Sequence, residues 1–222
     1  MSYAQDHFKS FADHTLLKHA ILRSYLQQWA SIHLSKRAGN PEVCFVDCFA
    51  GPGHDGDGKE GSPLIAARAS HMIRGMTQSG ALPAGGVLRF AAVERKQAYF
   101  NEMRESVEAL IPPDPARLLL RKADYRDCLD DLRRFRGDAP CLTFLDPFGV
   151  SGLDAAAFAP LLAGAKTELL LLVSGIGAAR LHGVLGADAR EFAEALQHVR
   201  GSPTLFPELQ MEEEARLQQE QE

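Results

Sequence analysis

Five short apolar runs, each handing over to a helical stretch, predict an α/β fold with a doubly wound, mostly parallel sheet. Two further observations point the same way. The runs read as continuous apolar strings instead of alternating ones, as strands covered on both faces do. Glycine, proline or an acid stands where each run ends, which marks handover points in an open α/β sheet.

The elements follow in order. Residues 15–34, TLLKHAILRSYLQQWASIHL, place Leu17, Ile21, Tyr25, Leu26, Trp29, Ile32 and Leu34 at three-and-four spacing, an amphipathic helix ended by Ala38-Gly39-Asn40-Pro41. The run VCFVDCFA is then the first strand. Residues 88–94 are the second, with a helix over 95–110. Residues 117–124 are the third, with a helix from Tyr125 that Gly137 terminates. Residues 139–148 are the fourth, followed by a helix over 153–164, and residues 167–175 are the fifth. The expected organisation is a helical extension over 1–40 packed on the core, a Rossmann-like domain over 41–205 and an acidic tail over 206–222.

Composition narrows the function. A chain of 222 residues with 45% hydrophobic content has room for one substantial core. No apolar run reaches the roughly 18 residues of a membrane span. The first residues, MSYAQDHFKSF, do not read as a secretion signal, so a cytoplasmic protein off the membrane is expected. Cys44, Cys48, Cys128 and Cys141 show neither C-x-x-C spacing nor histidines at ligand intervals, so no metal site is expected. A net charge of −5 disfavours a module that binds nucleic acid by bulk electrostatics.

Ligands of such sheets bind beyond the carboxyl ends of the strands, and four of the five ends are chemically marked. After Asp47 and Phe49 comes Gly51-Pro52-Gly53-His54-Asp55-Gly56, a formal G-x-G-x-x-G in which glycine lets backbone approach a ligand. The next helix is expected to start at Ser62 as N-cap with Pro63 behind it, so this loop is longer than a dinucleotide turn. Glu94 ends the second strand where an acid accepts from ribose hydroxyls; a helix-start glutamate would also stand there. Asp124 and Tyr125 end the third, either as an adenine-side acid with a packing ring or as an N-cap and its neighbour. Asp146-Pro147-Phe148-Gly149 ends the fourth. In one reading it is a turn; in the other Asp146 and the Pro147 carbonyl form an acceptor pair for a planar amine that stacks on Phe148. Arg121, Lys122, Arg126, Arg133, Arg134 and Arg136 make a locally basic stretch, either a solvated face or a phosphate contact.

These ends, in this order, resemble the class I S-adenosylmethionine-dependent methyltransferases: VDCFAGPG looks like their first motif, and DPFG like the fourth motif of enzymes that methylate exocyclic amines. The resemblance implies S-adenosylmethionine as cofactor, with Asp47, Phe49, Gly51 and Gly53 at the methionine end, Glu94 at the ribose, Asp124 and Tyr125 at the adenine, and Asp146 to Gly149 at the amine. More of the chain, roughly residues 14 to 180, is similar to the bacterial three-Cys-motif partner family, TcmP: HTLLKHAILRSYLQQW, FVDCFAGPG, GKEGSPLIAA, FLDPFG and TELLLLVSGIGAAR. That resemblance implies a co-encoded partner carrying the three-cysteine motif, while the DPFG form, similar to that of the tRNA guanine-N2 dimethyltransferases, implies a nucleic acid as candidate substrate. Class I enzymes continue into two more strands, whereas the residues after the fifth strand offer little of the kind, so a C-terminally incomplete sheet is expected. A catalytically inactive scaffold that binds the partner, and a nicotinamide-dependent dehydrogenase, are the competing readings. The dehydrogenase leaves DPFG unexplained, and Glu94 lies well beyond the roughly 20 residues that should separate its acid from the glycines.

Overall fold

A computed structural model of the chain describes residues 13–147, 160–163 and 166–172. The chain divides into two units, residues 1–180 and 181–222, and every described residue belongs to the first. Helix α1 spans Asp13–Leu34, α2 Ser62–Gln78, α3 Gln97–Glu108 and α4 Leu129–Arg136. The strands are β1 Glu42–Asp47, β2 Val87–Glu94, β3 Leu118–Lys122, β4 Cys141–Leu145 and β5 Thr167–Leu171. They form one sheet in the order β3-β2-β1-β4-β5, and every pairing is parallel. This is the α/β fold expected. The order reverses at β1, which makes the β1/β4 boundary its topological switch point.

Strand alternation explains how the sheet is covered. Val43 and Phe45, Leu88, Phe90 and Ala92, and Leu142 and Phe144 join one core with side chains from α1, α2 and α3. Phe45 stands between Phe90 and Phe144 at ring-centroid separations of 6.0 and 6.3 Å, a stack across three strands. The alternate residues face the other way. There Arg89 lies over the Phe135 ring of α4 at 4.6 Å and also donates to the Phe135 carbonyl. Helices therefore cover both faces.

Three local expectations are corrected. On α1 the buried stripe is Leu22, Leu26, Trp29, Ala30 and Leu34, whereas Leu17, Ile21 and Ile32 are exposed at 63, 36 and 65%. The helix carries apolar residues on more than one face, so spacing alone allows several stripes, and contact with α2 and β1 selects this one. The cap of α2 is Gly61, and Ser62 is the first helical residue. Its hydroxyl does not cap the helix and acts instead on the Asp47 carboxyl. The stretch after Asp124 opens as a 3-10 turn, Tyr125–Cys128, before α4 begins. Of the helix expected over 153–164 only 160–162 are described as helical, and whatever follows Leu172 lies outside the described residues. No helix among the described residues is long and apolar enough to cross a membrane.

Candidate functional site

Beyond the carboxyl ends of the sheet lies a cavity of about 150 Å³. Four strands contribute to its wall: Cys48 and Phe49 follow β1, Val93 and Glu94 end β2, Ala123, Asp124 and Tyr125 follow β3, and Pro147 follows β4. Arg95, Lys96, Tyr99 and Arg126 complete it. Five of the residues expected at a site, Phe49, Glu94, Asp124, Tyr125 and Pro147, thus share one cavity although they come from four separate strand ends.

The glycine loop begins just after Phe49, and its Gly51 and Gly53 do not line the cavity. Gly51 and Gly53 adopt φ of 65° and 95°, conformations that side chains strain to reach. At Gly53 a Cβ would also touch the Met103 backbone at 3.6 Å. The loop's tip, residues 54–60, is closed at its base by the Gly61 amide donating to the Gly53 carbonyl at 2.7 Å, and by a backbone bridge between His54 and Glu60. Inside the tip Asp55 Oδ1 accepts from the Asp57 and Lys59 amides at 3.0 and 2.8 Å.

Each expected acid has a distinct environment. Glu94 Oε2 accepts the Gly51 amide at 3.0 Å and Oε1 the Lys96 amide at 2.6 Å, which ties β2 to the glycine loop and to the start of α3. A carboxylate offers about four lone-pair directions, so each oxygen retains capacity for another donor. Asp124 is the N-cap of the 3-10 turn, accepting Arg126 N at 3.1 Å, and it also grips the Arg126 guanidinium at 2.8 Å through both oxygens. Those bonds hold its carboxyl below the usual range. The cap alternative is what this arrangement realises, and Oδ1 is already used twice. Tyr125 is buried, and its ring meets Phe49 at a centroid distance of 5.3 Å.

Asp47 and Asp146 do not line the cavity; they stand at the ends of β1 and β4, on either side of the switch point. Asp47 is fully buried. Its Oδ1 accepts the Phe49 amide at 3.1 Å, and among the described residues its Oδ2 makes no hydrogen bond. Burial pushes this carboxyl up to about 7; the Ser62 hydroxyl and the Phe49 amide oppose the rise, while Asp146 and Glu94 add to it. Asp146 Oδ1 accepts Lys18 Nζ of α1 at 2.9 Å. Phe148 and Gly149 lie outside the described residues. Burial raises the Cys48 thiol well above its ordinary range, which favours its protonated form.

Sequence reasoning missed Lys18, Lys96, Tyr99 and the Ser62 hydroxyl. Lys96 and Tyr99 were legible in principle, since they follow Glu94 in the first turns of α3. Lys18 was not, because 128 residues separate it from Asp146. The basic stretch is internally paired: Arg121 with Asp131, Arg126 with Asp124, Arg133 with Asp130 and Arg134 with Asp131, while Arg136 donates to the Leu161 and Ala163 carbonyls. Most of the stretch is thus bound within the chain, and Arg126 also lines the cavity. Among the described residues no group of three His, Cys, Asp or Glu side chains is placed to hold a metal ion. No family model matches the chain, and no curated protein shows significant similarity to it.

Proposed function

We propose that the chain is a three-Cys-motif partner protein with S-adenosylmethionine-dependent methyltransferase activity on an amine, of the kind nucleobases carry. The observation that carries this reading is the convergence of four strand ends on one cavity beside the switch point of a parallel sheet. The residues fit the donor. It is a cation with a ribose diol and a flat base, and the cavity offers the acids Glu94 and Asp124 beside the Phe49 and Tyr125 rings.

Bound there, the donor supplies an electrophilic methyl group, so the protein has to position reactants more than it has to move protons. Glu94 accepts the ribose hydroxyls on its remaining lone pairs without releasing Gly51 or Lys96. Asp124 Oδ2 retains room for the adenine amine, and Phe49 with Tyr125 walls the base. Asp146 and the Pro147 carbonyl orient the attacking amine, and a base within a duplex would have to be flipped out to reach them.

Calorimetric titration with S-adenosylmethionine, in parallel with NAD, tests the reading. Saturable binding of the methyl donor is expected, with at least about tenfold loss in a Glu94→Gln variant. No binding of the donor, or tighter binding of NAD, overturns it. One observation favours a second reading, a scaffold that docks the co-encoded three-Cys-motif protein: Asp146 and Asp124 are already paired with cations of the chain itself. Donor binding without methylation of bulk tRNA, DNA or the co-encoded protein decides for the scaffold.

A further inference from the structure

The ion pair between Lys18 and Asp146 joins the second turn of α1 to the strand end where the amine is expected. Both side chains are largely covered, at 29 and 22% exposure, so solvent screens the pair less than a surface pair. Helix α1 delivers the lysine from a fixed position. Arg23 binds Glu60 of the glycine loop at 3.2 Å, and Tyr25 and Trp29 donate to Glu168 of β5 at 2.5 and 2.9 Å. Lys18 engages Oδ1 alone among the described residues, so Oδ2 remains as an acceptor.

We propose, resting on the amine reading above, that Lys18 determines the charge of the methyl acceptor: the site takes a neutral amino group on a planar ring and rejects an alkylammonium. With Lys18 on Oδ1 the negative charge of Asp146 is already cancelled. A neutral amine gives its two N–H groups to Oδ2 and the Pro147 carbonyl and keeps its lone pair for attack. That lone pair forms the N–C bond as the C–S bond breaks, the electrons of the broken bond stay on sulfur, and the surplus proton on nitrogen passes to water. An alkylammonium has no lone pair, and it meets a second cation a few ångströms away. Lys18 is thus a positioning residue that acts through Asp146.

The test follows the Asp146 carboxyl carbon by NMR during titration with cytosine, a neutral planar amine, and with n-butylammonium. In the wild type and in Lys18→Arg the carbon is expected to respond to cytosine and not to butylammonium. In Lys18→Met, and in Lys18→Gln should the first variant fold poorly, butylammonium affinity is expected to rise about tenfold or more, while Lys36→Met, which removes an equal charge elsewhere, leaves it unchanged. A wild-type response to butylammonium overturns the proposal. So does a wild type silent to cytosine, or an equal gain in Lys36→Met. Calorimetry with S-adenosylmethionine reads the donor site independently of Lys18, so failure here leaves the methyl-donor reading to stand or fall by itself.

Discussion

Strand β1 is buried from Val43 to Asp47, whereas every residue of β5 keeps partial exposure. The centre is held by apolar packing, with Phe90, Phe45 and Phe144 stacked across neighbouring strands. The edge pairs with β4, packs Leu170 against that core and adds a single carboxylate. Glu168 accepts the Tyr25 hydroxyl and the Trp29 indole N–H, and His33 stands 3.5 Å away. Apolar burial is non-directional and indifferent to protonation, while this added link at the edge depends on one charge and the donors aimed at it.

That contrast can be broken at its centre first. Phe90→Ala removes the middle of the core and is expected to cost about 3–5 kcal/mol, read as a lower denaturation midpoint with little change in slope. A loss under about 1 kcal/mol would show that the stack is not where the stability resides.

The centre also buries an ionisable group, Asp47, and it sharpens the comparison through pH. Its carboxyl sits at about 7 in the fold; unfolded, it returns to about 3.9. The folded protein therefore binds this proton more tightly than the unfolded chain does. Asp47 contributes most below about pH 4, and its contribution declines between about pH 4 and 7, by something on the order of 4 kcal/mol, and is level above. Asp47→Asn should remove that slope and be more stable than the wild type at pH 8, checked by urea denaturation across the window. An unchanged slope would place the titrating group elsewhere.

At the edge the effect is smaller. Glu168→Ala strands two donors and is expected to cost about 1–3 kcal/mol. Trp29 is the chain's sole tryptophan, so its emission reports the loss directly. The Tyr25 phenol, held well above its ordinary range by burial and then by Glu168, should titrate at lower pH in this variant, followed by tyrosinate absorbance. An unmoved phenol would leave burial as the whole cause.

The same contrast separates what was legible in the sequence from what was not. Runs such as VCFVDCFA and LRFAAVE announced β1 and β2 because a strand buried on both faces leaves no polar alternation to confuse with a helix. The marked strand ends announced the cavity, since parallel topology brings carboxyl ends to one side. The face of α1 was not legible. Leu17, Ile21 and Ile32 fit a helical stripe as well as Leu22 and Ala30 do, and only the neighbouring α2 and β1 decide between them. Nor was the partner of Asp146, because an ion pair across 128 residues leaves no trace in local spacing. Asp124 was an even choice between cap and site, and the bonds to Arg126 show why: the cap geometry consumes one oxygen and leaves the other.

The glycine loop closes at its base through Gly53 and Gly61, and its tip supports itself through Asp55. Base and tip are therefore separable parts. A segment that enters and leaves through one hydrogen-bonded gate can be lengthened, shortened or exchanged without shifting the start of α2 or the anchor of Gly51 on Glu94. Within it the exposed turn 56–59 is the exchangeable part, because Asp55 is buried and Glu60 is bound by Arg23 of α1 and Arg68 of α2.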